Sequence, residues 1–468
     1  MPVTTGHRLV PLLALLLIGA AGRDLPLVDA ARNADKEAVR SLLRKGANVT
    51  AVEGDGTTAL HWASHRDDVE IADLLIQAGA KVNAANDLGA TPLWTASQNG
   101  SASMVRSLLQ AGADPNLSLI LGETPVMVAA RSGSPDVVEQ LLAKGANANA
   151  RGPRGQTALM WAAAQKHPDV VKVLLAHGAD VQARSEAWSQ VMAVFPHGNL
   201  DYNRAIPHGA DTALMFAVRE GDLSSAQLLV AAGASVNDAD AGGVSATTLA
   251  AHAGFGDLVD FLLANGADPN IAAAGFSPLH IAVVRRDEKM VTALLARGAD
   301  PNARLLNWTP TRRSSKDFNF EPPLVGATPY WLAARFGEAR IMRLLLKQGA
   351  DPRFVHHAAF HAGDPAEPAT QVATALLAAT GVGGGAAWVR PARTEREPRM
   401  LEAVKAAIEG GVDLNATDVD GRTALDVVIN LGYDEVTAFL VEKGAKAETS
   451  GGPAETLPAV VRPAAPRR

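Results

Sequence analysis

Cysteine is absent from the 468 residues. This excludes disulfides, thiolate metal ligands, a cysteine nucleophile and a lipidated N-terminal cysteine. Aromatic residues are scarce at 4%, so small side chains must do much of the packing in a chain that is nonetheless 47% hydrophobic and able to bury a core. An excess of base is missing too: 43 lysines and arginines face 49 aspartates and glutamates, a net charge of −6. No partner held mainly by phosphate neutralisation is expected. The apolar stretch Leu9 to Ile18 falls short of the about 20 residues that span a bilayer. With His7 and Arg8 before it and Gly19-Ala20-Ala21-Gly22 after it, it has the layout of an export signal cleaved after Ala21. Residues 1–21 are therefore expected to direct export, to a periplasm or outside the cell; the alternative is an uncleaved N-terminal anchor. Catalytic phrases are missing as well: no Walker-type phosphate loop, no H-E-x-x-H, no G-x-S-x-G and no dinucleotide glycine fingerprint.

What is present is a repeat. A Leu-Leu pair or its equivalent, then Gly-Ala-Asp/Asn, recurs with glycines at Gly46, Gly79, Gly112, Gly145, Gly178, Gly233, Gly266, Gly298, Gly349, Gly411 and Gly444. The gaps are 33, 33, 33, 33, 55, 33, 32, 51, 62 and 33 residues. Most are a strict 33, and three carry insertions. A second phrase, Thr58-Ala59-Leu60-His61, Thr91-Pro92-Leu93-Trp94, Thr157-Ala158-Leu159-Met160 or Thr328-Pro329-Tyr330-Trp331, precedes the glycine by 21 residues. The hydroxyl residue can cap the free N–H groups of a helix start, and proline costs nothing at the first helical position. The glycine suits a helix end, because it tolerates the left-handed backbone found there. Each unit is thus predicted as helix, turn, helix and an extended turn.

These phrases resemble the ankyrin repeat over about residues 22–446. The resemblance implies an all-α solenoid of stacked helix-turn-helix units with finger-like turns, acting as a non-catalytic protein-binding scaffold. Two units depart from the pattern: Thr247 stands where leucine should pack, and the unit ending at Gly411 starts poorly at Thr370-Gln371-Val372. They are the expected weak points. Residues 447–468, rich in proline, alanine and glycine, read as a disordered tail.

Insertions near 182–208, 303–325 and 353–398 give the array its individuality. The first two extend fingers on one edge and bring Trp188 and Trp308, which either anchor a partner or fold back as local cover. Three repeats apart, they could stand about 30 Å from one another. The third holds His356, His357 and His361; His357 and His361 would share a face on a helix, but no motif fixes a third ligand. His61 and His280 have structural places in the repeat. In arrays of the family, the variable surface includes the positions seven and eight residues after the motif threonine. Here those are His65 and Arg66, Gln98 and Asn99, Arg131 and Ser132, Arg219 and Glu220, and Arg335 and Phe336. We expect a monomer that takes a protein partner on this surface, with no nucleic acid, no cofactor, no metal, no catalytic residue and no stable membrane span. The alternative is that the insertions converge into an enzymatic or metal-handling site.

Overall fold

The computed structural model describes residues 25–193, 203–309, 320–360, 369–383 and 393–448. The expected export signal, the tail beyond residue 448, and the middle of each insertion, with His361, lie outside them. The chain divides into two compact units, residues 1–129 with 143–146, and residues 130–142 with 147–468.

The first unit stacks the pairs α1 (Pro26–Arg32) and α2 (Lys36–Arg44), α3 (Ala59–Arg66) and α4 (Val69–Gln77), and α5 (Pro92–Asn99) and α6 (Ala102–Gln110). The first helices of the pairs pack in one layer, α1 on α3 on α5, and the second helices in another. The motif residues act as the sequence implies. Thr58 and Thr91 accept the backbone N–H groups of His61 and Trp94, and Asp68 caps α4 at Ile71. Leu60 and Leu93 are fully buried, and Ala63 and Ala96 beside them let the helices approach. Truncating either leucine to alanine would cost about 2–5 kcal/mol. Gly79, at φ 91°, turns the chain out of α4 while Ala80 N–H returns to Leu75 O at 2.9 Å, a closure that a β-carbon would strain.

Helices α7 (Pro125–Ser132) and α8 (Pro135–Ala143) run through the boundary between the units. In the second unit, α9 (Ala158–Ala164), α11 (Ala213–Glu220), α13 (Ala246–Ala253), α15 (Pro278–Arg285), α17 (Pro329–Arg335) and α19 (Ala375–Ala379) pack in succession as the inner layer. Their partners are α10 (Pro168–Ala176), α12 (Leu223–Ala231), α14 (Gly256–Ala264), α16 (Glu288–Ala296), α18 (Ala339–Lys347) and α20 (Arg393–Glu409). The pair α21 (Ala424–Leu431) and α22 (Asp434–Glu442) closes the described array, with α22 against α20. Thr247 packs in the leucine position of α13 and is buried, with its neighbour Thr248 bonded to Ser245 at 2.9 Å.

Two insertions add strands to this helical frame. In the first, β1 (Trp188–Ala193) pairs antiparallel with β2 (Asn203–His208), Trp188 opposite His208. In the third, β3 (Val355–Phe360) pairs with β4 (Ala369–Thr374). This corrects the start expected for the unit ending at Gly411. Thr370-Gln371-Val372 belongs to β4, where Thr370 lies opposite Ala359, and the helix begins four residues later. There Thr374 accepts the N–H of Leu377. In the second insertion Phe320 is buried against Phe276 at 5.3 Å, and its N–H donates to Thr309 Oγ1 at 2.6 Å.

His61 and His280 tie neighbouring repeats together. Nδ1 of each accepts the N–H of its cap residue, Thr58 or Ser277. Nε2 therefore carries the proton and donates to a carbonyl of the next repeat, Ala90 O at 2.9 Å and Ala303 O at 3.1 Å. Burial pushes both imidazoles down, His280 to about 4. Between that value and the ordinary 6.5 the unfolded chain binds more protons than the folded one, so stability is lost as pH falls through this window. His280 alone is expected to remove about 3 kcal/mol between pH 7 and 4. Urea unfolding across that range checks the loss, and an imidazole NMR titration should place the His280 midpoint near 4.

Candidate interaction surface

The position seven residues after the motif threonine lies at the end of most of the inner helices. Arginine occupies it four times, at Arg131, Arg219, Arg335 and, in the first repeat where Leu25 replaces threonine, Arg32. The structure fixes these side chains on the protein's own framework. Arg32 lies 4.9 Å from the Trp62 ring and Arg131 4.7 Å from the Trp161 ring. Each tryptophan sits four residues after the threonine of the following repeat. The same offset separates both pairs, so an arginine-on-indole contact recurs between successive repeats, each contributing about 0.5–1 kcal/mol when exposed.

In the first unit His65, Arg66, Gln98 and Asn99 are exposed on the packed helices α3 and α5. His65 meets the Trp62 ring edge-on at 5.9 Å. Asn99 has a second duty: its amide donates to Ser64 O at 3.1 Å and His65 O at 3.0 Å, closing the open carbonyls at the C-terminus of α3.

In the second unit the structure brings Trp188 and Arg219 into one cleft of about 370 Å³, lined also by Arg154, Glu186, His208, Asp211, Phe216 and Asp240. The base of the β1–β2 hairpin is fixed by Arg184, which donates to Ala210 O and Ala239 O and pairs with Asp238 at 2.9 Å. Trp188 stacks on His208 at 4.5 Å and 26°, with the Arg154 guanidinium 4.2 Å from its ring. Arg154 is held in left-handed backbone at φ 55°, which costs a residue with a β-carbon about 1–2 kcal/mol. On the facing wall, Arg219 pairs with Asp211 at 2.8 Å and lies 5.7 Å from the Phe216 ring. Asp240 Oδ1 accepts the N–H groups of Gly242 and Val244 at 2.8 and 2.9 Å. Burial nevertheless pushes its carboxyl up, and the nearby Asp211 adds to the effect. Sequence reasoning missed Arg154, Phe216 and Asp240. The signal was there for Phe216, which holds the same place after the motif threonine as Trp62 and Trp161.

The remaining positions lie elsewhere. Trp308 is half-buried at the start of the second insertion. Phe336 is 6% exposed, and Arg335 Nε donates to Gly383 O at 2.7 Å, where burial works against its charge and Glu321 opposes that effect. Arg335 is thus tied to a residue within the third insertion. His356 is buried on Trp331, 4.3 Å between rings, and its Nε2 donates to Val325 O. His357 is exposed on the alternate side of the strand. Among the described residues no group of three or more histidines, aspartates or glutamates is arranged to hold a metal ion, and no helix is long and apolar enough to cross a membrane. The described parts of the three insertions address three places: the cleft beside α11, Phe276 before α15, and Trp331 on α17.

Models of known protein families match most of this chain. Ankyrin repeats in three copies match residues 27–119, 117–185 and 202–304, a many-copy ankyrin model matches 159–230, and a single ankyrin repeat matches 325–357. An ankyrin repeat and KH domain-containing protein of Caenorhabditis briggsae is 28% identical over 271 residues. The match takes in 52% of this chain and 9% of that protein, so the chain spans a small part of the relative's length. Within the cleft, Asp240→Asn keeps the acceptor for both turn N–H groups and removes a costly charge, whereas Asp240→Ala leaves both donors without it. Thermal unfolding at pH 7 should show the asparagine variant at least as stable as the parent and the alanine variant weaker by about 1–3 kcal/mol.

Proposed function

The chain belongs to the ankyrin-repeat family, whose arrays are protein–protein interaction modules, and on that premise we propose that it acts after export as a non-catalytic scaffold for a protein partner. The partner is gripped through the inner-helix residues His65, Arg66, Gln98 and Asn99 and through the cleft beneath the first insertion. The observation that carries this reading is the convergence of Trp188, from the insertion, with Arg219, from the repeat, on one cleft. Tryptophan and arginine are the residue types that dominate binding hot spots. Both are already stacked or ion-paired in the free protein, so a partner would meet side chains that have lost much of their rotamer freedom before binding.

Proximity labelling in the native cell followed by mass spectrometry identifies the partner. Replacing Trp188, Arg219 and Trp308 by alanine together should then weaken binding by at least about tenfold, about 1.4 kcal/mol, with the array still folded by its melting curve. A folded triple variant that binds within about twofold of the parent would remove this surface from the reading. Export has its own check. N-terminal sequencing of the protein from its native cells should begin near Gly22, and an intact Met1 or Pro2 on a cytosolic protein would overturn it.

A further inference from the structure

Large apolar side chains stand exposed on three successive fingers of the first unit: Val52, Leu88 at 61%, Ile120 at 73% and Leu121 at 75%. The fingertips are bonded to one another. Asp87 N–H donates to Asp55 O at 2.8 Å, and Ile120 N–H donates to Leu88 O at 3.0 Å. The packing between the second and third fingers is backbone on backbone, since a β-carbon at Gly89 would lie 2.9 Å from Ser118 O. Leu88, Ile120 and Leu121 are therefore carried on a framework in fixed register. At the donor position of the following finger stands Pro153, which has no N–H to give.

Charge completes the pattern. The three fingers, residues 51–57, 84–90 and 117–123, contain Glu53, Asp55, Asp87 and Glu123 and neither lysine nor arginine. Glu53 is taken up by Arg32, while Asp55 and Asp87 are exposed. A scattered exposed leucine needs no explanation; three neighbouring exposed aliphatic side chains on a rigid edge, on fingers whose own charged residues are all acidic, define a surface with a preference.

We propose that these fingertips dock a segment of the protein partner in which aliphatic side chains are interleaved with lysine or arginine. The inference rests on the reading of the chain as a binding module and adds the chemistry of what it binds. The acidic rim disfavours the alternatives. A second copy joined through the same face would set Asp55 and Asp87 against their own kind, and an anionic membrane surface or a nucleic acid would be repelled.

The probes are three fluorescein-labelled twelve-residue peptides, of alternating leucine and lysine, leucine and glutamate, and serine and lysine, titrated with the full chain by anisotropy. The leucine–lysine peptide should bind at least about tenfold more tightly than the other two. Leu88→Ser/Ile120→Ser/Leu121→Ser should weaken it by about tenfold or more, and Asp87→Lys by about threefold with a shallower salt dependence. All four positions are exposed, so melting curves should match the parent. Binding of that peptide to the triple variant within about twofold of the parent would overturn the proposal. So would sedimentation showing that the triple variant breaks up a dimer of the parent, since the occupant would then be a second copy. Once the native partner is in hand, its loss from the Trp188→Ala/Arg219→Ala variant but not from the fingertip variant would remove the fingertip site and leave the module reading intact. Full binding by both variants would remove both.

Discussion

The array depends on one amide. Four residues after the glycine that ends most repeats stands an asparagine whose side chain clamps the same glycine of the next repeat. Asn83 donates to Gly112 O and accepts Asp114 N–H, and Asn149 does the same with Gly178 and Asp180. Asn237 and Asn270 continue the pattern. Both ends of the amide are used, so neither aspartate nor leucine could replace it without leaving a helix-end carbonyl or a turn N–H open. The sequence period of 33 is a consequence: the clamp must reach its partner, and the helix pair between them has a fixed length.

The same clamp explains why insertions are tolerated where they occur. Gln182 reaches Gly233 O across 51 residues and Asn302 reaches Gly349 O across 47, each keeping the contact its neighbours make across 28 or 29. Extra chain in the finger leaves the glycine and the amide in place, at a loop-closure cost that grows slowly with length. One repeat both lacks the clamp residue and departs from the regular helix length. Arg353 stands in the asparagine position before the unit ending at Gly411, and that unit has a first helix of five residues where the inner helices of the other repeats have seven or eight.

Much of this was legible in the sequence because caps act locally. Thr58, Thr91, Thr157 and Thr212 each bond within three residues, so spacing alone places the helices they start. The insertions obey longer-range rules. Thr370 and Thr374 are equivalent as residues, and cross-strand pairing with β3 decides which one caps a helix. Arg335 fills the same repeat position as Arg131 and Arg219, yet Gly383, far along the chain, determines that it is covered. The cleft was half legible for the same reason. Repeat arithmetic nominates Arg219, whereas the register of Trp188 opposite His208 sets what faces it.

Arginine contacts that support these repeats would serve the proposed recognition with the same geometry. A guanidinium beside an indole, as Arg154 is beside Trp188, can use its face on the ring while the edge of its donor fork addresses another group. Donors held in this way lose little further freedom when a partner carboxylate or carbonyl arrives. Arg219, paired with Asp211, differs: a partner must either displace that acid or bind the pair as a unit. Asp240 tips the balance toward the second course, because a carboxyl already pushed up by burial and by Asp211 would lose the Arg219 charge that opposes the rise. If the proposed partner enters this cleft, a group that brings a donor to the two acids and leaves Arg219 in place would match it better than an acid competing for Arg219.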